Sequence, residues 1–155
     1  MVPEFKKLSG EELEMLIKAP LLVSILIAGA DGSIDKSEIK GAINTTRKKT
    51  QSNSALKTFY TEVAEDFEDK LKVLLQGYPS NSAERCAQLE NELTLLNPIL
   101  TKVEGKLARE IYESLKSLAL ATAKSSGGLF GFTSSIGPEE AKYVELPMIQ
   151  PPGAR

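Results

Sequence analysis

A compact all-α bundle of about six to seven helices is the fold this sequence predicts, on three observations. Apolar residues recur at three- and four-residue steps along most of the chain, capping signals stand ahead of those runs, and few stretches alternate apolar and polar residues as half-buried strands do. The length agrees, because a chain of 155 residues buries about 70% of its unfolded surface around one core with no disulfide or metal to help it. Residues 5–146 read as a single domain and 147–155 as an extended or disordered, proline-rich tail.

The elements follow in order. Ser9 and Glu12 have capping-box spacing, so a helix starts near Gly10 with Leu13, Leu16 and Ile17 on its apolar face. Proline suits a first helical turn better than an interior, so Pro20 opens a second helix that runs to Ala30 and is apolar on all sides. Asp31-Gly32 ends it, and the spacing of Asp35 and Glu38 starts a third from Lys36 to about Lys48. Leu56, Phe59, Tyr60, Val63, Phe67, Leu71 and Leu74 share one face of a long helix that stops at Gly77-Tyr78-Pro79. Asn81 and Glu84 cap the next, whose face is Cys86, Leu89, Leu93 and Leu96 and whose run is broken at Asn97-Pro98. Leu100, Val103, Leu107, Ile111, Leu115 and Leu118 form the last strong face, and Pro138 to about Val144 a short closing helix.

Composition excludes more than it assigns. There is no histidine, which removes imidazole-activated nucleophiles, His-ligated zinc and the commonest general base together. The one cysteine, Cys86, forms no internal disulfide and fits a reducing compartment as a small core residue. Nineteen basic and 21 acidic side chains leave a net charge of -2, which offers nucleic acid no general attraction. The short basic cluster Arg47 to Lys49 reads as a solvated helix face. The longest apolar run, Ala19 to Ala30, has about a dozen residues, too few for a transmembrane segment. Met1 to Lys18 carries Glu4, Glu11, Glu12 and Glu14 where a secretory leader would be basic. The expected location is the cytoplasm, and the sequence is silent on oligomeric state.

Chemistry concentrates in Asp31-Gly32-Ser33-Ile34-Asp35-Lys36-Ser37-Glu38. On the twelve-residue calcium-loop template, Asp31 takes the fifth position, Gly32 the sixth, Asp35 the ninth and Glu38 the twelfth. The first two carboxylate positions fall on Ile27 and Gly29, so a second segment has to supply the remaining oxygens. A purely structural reading stands beside this one: Gly32 ends one helix, Asp35 caps the next and Glu38 returns a hydrogen bond, each worth about 1 kcal/mol or less. Caps do not require Asp31, and three carboxylates this close suit a hard cation, Ca2+ or Mg2+. As a hydrolase pair Asp35 and Glu38 lack any evident oxyanion donor, so the chain reads as non-enzymatic.

A helix ending Ile-Leu-Ile-Ala-Gly-Ala-Asp-Gly, followed by Ser-Ile-Asp-Lys-Ser-Glu-Ile at the start of another, resembles the signature of the TerB-like domains of tellurite resistance. The likeness covers about Leu21 to Ile43. It implies an all-helical domain with two pseudo-repeated acidic halves, linked to metal binding and to membrane-associated stress-response complexes. The first half carries over onto Asp31, Asp35 and Glu38. The second is echoed in Ser135-Ile136-Gly137-Pro138-Glu139-Glu140, where Ile136 stands to Glu140 as Ile34 stands to Glu38. Glu140, or Glu139 beside it, would then complete the metal site.

Where the second half would carry Asp-Gly, this chain has Gly127 to Thr133, with Leu129, Phe130 and Phe132 set among glycines. These side chains either fold back over the core or form an exposed finger for an unknown protein partner or a peripheral membrane contact. A rival reading of the whole chain follows: a helical interaction module in which the acidic segment is only a cap and the Gly/Phe loop with the proline-rich tail meets the partner.

Overall fold

The structure is a computed structural model and describes residues 5–30, 34, 36–49, 55–125 and 138–153. Among the described residues the chain is all-helical, with eight helices: α1 (Gly10–Ala28), α2 (Lys36–Lys49), α3 (Ala55–Ala64), α4 (Phe67–Gly77), α5 (Ser82–Thr94), α6 (Leu96–Leu100), α7 (Gly105–Lys124) and α8 (Pro138–Val144).

α1 is the axle of the bundle and packs against each of the other seven helices. Its start follows from local chemistry, since the Ser9 hydroxyl accepts from the Glu12 N–H at 3.1 Å while the Glu12 carboxylate accepts from the Ser9 N–H at 2.9 Å. Lys102, beyond α6, donates to the same Glu12 carboxylate at 2.6 Å and holds its carboxyl below the usual glutamate range. Two helices were expected where α1 is continuous, because Pro20 lies inside it. An interior proline costs about 3 kcal/mol, whereas each large apolar side chain taken out of water returns about 1.5–3 kcal/mol. Leu16 and the whole stretch from Ala19 to Ala28 are buried, so burial outweighs the break. Ser24 adds a hydrogen bond from its hydroxyl to the Pro20 carbonyl at 2.7 Å.

α2 and α7 pack on α1 and on each other. Their close approach rests on Gly41, where a Cβ would stand 2.4 Å from the Cβ of Ser125 at the end of α7. α3 is tied to α7 through Tyr60 and Ser114, whose oxygens are 2.7 Å apart. The Ser114 hydroxyl donates to the Ile111 carbonyl at 2.7 Å, which leaves Tyr60 as the donor between them. Asn81 caps α5 by accepting from the Glu84 N–H at 3.0 Å, as its position in the sequence predicts. The Glu104 carboxylate caps α7 by accepting from the Lys106 and Leu107 N–H groups, each at 3.0 Å, and its pKa is lowered by those amides.

The long helix expected from Leu56 to Gly77 is two helices. Asp66 adopts the left-handed region at φ 55° and ψ 29°, which turns the chain between α3 and α4 while Val63, Phe67 and Leu71 all stay buried. No glycine or proline marks the turn. Aspartate is among the few residues that tolerate this conformation.

The stretch from 147, read from the sequence as a tail, is held to the body as far as Gln150. Asn97 clamps it: its amide donates to the Met148 carbonyl at 3.1 Å, and the Gln150 N–H donates to the Asn97 side-chain oxygen at 2.8 Å. Leu146 and Ile149 are buried in the core.

Asp66 is exposed and its side chain makes no capping hydrogen bond. Asp66→Gly therefore raises stability by about 0.5–1 kcal/mol through relief of the left-handed backbone. In a continuous helix the same substitution would cost about 1 kcal/mol. The sign of the change in chemical denaturation decides between the two.

Candidate functional site

The acidic segment is the elbow between α1 and α2. α1 stops at Ala28, earlier than the expected end at Ala30, and Gly29 sits outside the left-handed region at φ -110° and ψ 10°, its N–H donating to the Ile25 carbonyl at 3.0 Å. Gly32, assigned from the sequence to the helix-ending turn, lies outside the described residues, as do Asp31, Ser33 and Asp35. Glu139 and Glu140 belong to α8, which packs on α7 and α1, and their side chains also lie outside the described set. Of the four expected ligands, Asp31, Asp35, Glu38 and Glu140, only the Glu38 side chain is described. It is 1% exposed. Among the described residues no group of three or more histidine, cysteine, aspartate or glutamate side chains is placed to hold a metal ion.

Glu38 differs from the other glutamates near a helix start. Glu12 is part-exposed and Glu84 exposed, as expected of residues whose task is to favour the positive end of a helix from the solvent side. A fully buried carboxylate is costly unless its surroundings compensate the charge. Glu38 does carry an interaction of its own.

A second buried charge stands at the elbow, and the sequence reading missed it. Arg85 in α5 is 4% exposed, and one of its Nη groups donates to the Gly29 carbonyl at 2.8 Å while the other donates to the Ser80 carbonyl at 3.1 Å. α1 has no basic residue in its last turn. Its partially negative end is therefore met by a guanidinium from another helix. Gly29 makes room for it, since a Cβ there would lie 2.7 Å from Nη2 of Arg85 and 2.6 Å from Cδ1 of Ile34. One signal for this role was present: Arg85 lies four residues before Leu89, on the apolar stripe of α5.

Cys86, next in sequence, is buried as expected. Burial pushes its thiol pKa up, against a hydrogen bond with Tyr143 that lowers it, so it has none of the character of an activated nucleophile. The basic cluster is not one solvated face. Arg47 and Lys48 are exposed, but Lys49 reaches inward, donating to the Ser117 hydroxyl at 3.4 Å and standing 5.7 Å from the Tyr60 ring centre. Burial lowers its pKa. The Gly127 to Thr133 loop lies outside the described residues.

No described helix is long and apolar enough to cross a membrane. The chain matches no protein-family model, no curated protein and no solved structure.

Arg85→Ala removes the guanidinium from a buried carbonyl and costs about 2–4 kcal/mol. Gly29→Ala disturbs the same contact from the other side and costs about 1–3 kcal/mol. In a double-mutant cycle followed by urea unfolding, the two losses fall short of additivity by at least about 0.5 kcal/mol. Full additivity would mean the two residues act separately.

Proposed function

We propose that the chain is a cytoplasmic, non-enzymatic TerB-like domain that acts by binding in a stress response, and that its elbow takes a divalent cation. Asp31, Asp35 and Glu38 supply the first oxygens, and Glu140 or Glu139 from α8 supplies another. The all-oxygen donor set suits Ca2+ or Mg2+.

The observation that carries the reading is the burial of Glu38. A glutamate that served only as a helix cap has no reason to leave water, and the corresponding residues in α1 and α5 do not leave it completely. A carboxylate held inside, three residues past Asp35 and next to the acidic segment, is suited to close a coordination shell. Arg85 sets the strength of such a site. Its buried positive charge on the Gly29 carbonyl weakens the field felt by an incoming cation, which puts the affinity in the weak range of calcium modules, with Kd on the order of 10⁻⁴–10⁻³ M. The absence of histidine from the sequence supports binding over catalysis.

Titration calorimetry and thermal unfolding in millimolar Ca2+ or Mg2+ test the proposal. At tenfold excess over Kd a bound cation stabilises the fold by about 1.4 kcal/mol, a rise in Tm of roughly 3 to 5 °C for a domain of this size. The rise and the heat are expected in the wild type and absent in Asp31→Ala and Glu38→Gln. A flat response in the wild type, or an equal response in all three proteins, overturns it.

A further inference from the structure

α1 and α4 leave a groove between them on the side of α1's exposed first half, a hollow of about 760 Å³. Its floor is apolar, from Met15, Leu21, Val73 and Leu74. Val73 is 68% exposed, the most open of the large apolar side chains among the described residues. Its rim is acidic. Glu11, Glu14, Glu62 and Asp69 stand there against Lys18 and Lys70, and none of these six forms an ion pair among the described residues.

The rim carries four carboxylates against two ammonium groups. The whole chain carries a net -2, and the groove alone carries an excess of two carboxylates. The charges outside the rim sum to zero, so the rim presents a local negative excess beside an apolar floor. From these features we infer that the groove docks an amphipathic helix of a partner protein, with an apolar stripe flanked by lysine or arginine.

Shape and charge select this occupant over the others. Helices form the walls, and two helices side by side accept a third by ridges into grooves, while no sheet edge is present among the described residues to pair with a strand. From Glu11 to Leu21 the wall is about 15 Å long, room for roughly three turns of helix. A second copy of this chain would bring acidic rim against acidic rim. Anionic lipid and nucleic acid are repelled by the same rim. The docking is independent of any cation at the elbow.

The test uses the full chain and a fluorescein-labelled 16-residue peptide with leucine at helical three- and four-residue spacing and lysine on both flanks. Two controls accompany it, one with glutamate for every lysine and one with the leucines scrambled off the stripe. Expected are binding of the lysine peptide at least tenfold tighter than either control, and at least fivefold weakening between 50 and 500 mM salt. Amide shifts in the NMR spectrum should fall on α1 and α4. Val73→Ser, and separately the pair Glu14→Lys and Glu62→Lys, each weaken binding at least fivefold with unchanged circular dichroism. No binding, equal binding of the peptides, shifts on other helices, or indifference to Val73→Ser overturns the inference. So does a dimer in sedimentation that Val73→Ser abolishes, which would assign the face to self-association, or adhesion to phosphatidylserine vesicles that the same variant abolishes.

Discussion

One constraint organises the molecule: the second half of α1 is apolar all round, so it can be satisfied only by protein on every side. Ala19 to Ala28 are buried without exception, and all seven other helices touch α1. A helix with one apolar stripe would need one partner. An unbroken apolar surface needs a jacket, and α2, α5 and α7 with the shorter α3, α4, α6 and α8 are that jacket. The same constraint explains why Pro20 does not end the helix. About ten buried side chains depend on α1 remaining straight enough to be enclosed, and their summed burial exceeds the roughly 3 kcal/mol cost of an interior proline several times over.

What the sequence made legible is what local chemistry decides. The capping box at Ser9 and the cap at Asn81, the start of α2, the closing helix α8 and the burial of Cys86 each depend on a few neighbouring residues, and each reads directly from spacing. The misses share a different cause. Pro20 was read by its intrinsic cost, which only the surrounding jacket outweighs. The break at Asp66 leaves Phe59, Tyr60, Val63, Phe67 and Leu71 all buried, and a residue that merely tolerates left-handed geometry leaves no punctuation in the sequence. Arg85 reaches across 56 positions to the Gly29 carbonyl, and Asn97 across more than fifty to Met148 and Gln150. Long-range hydrogen bonds of this kind have no periodicity to betray them.

The candidate site shows the same division. The acidic residues of the elbow were evident at once, because three carboxylates in eight positions are conspicuous. The burial of Glu38 and the guanidinium on the Gly29 carbonyl were not. The acidic segment is followed by a buried glutamate on α2, and the helix end before it is met by a buried arginine from α5. Arg85 meets the buried carbonyl end of α1 at Gly29, so it holds the α1 side of the elbow while opposing a positive charge there. In the proposed cation site the same side chain would therefore favour stability and oppose affinity.

α1 also bears on how elbow and groove relate. The elbow begins at its C-terminal end, and the groove lies along its N-terminal half, so the two features share a helix. Sharing a helix is not coupling. Energy passes between sites only through an element with two arrangements that both ligands bias differently, and a helix enclosed by seven neighbours has few arrangements to choose from. α1 is better understood as a strut that separates the elbow from the groove than as a lever that joins them. α3 and α4 meet at an exposed left-handed Asp66. α4 forms the outer wall of the groove, so the proposed docking helix would rest on a wall whose first turn is entered from a left-handed aspartate rather than a glycine.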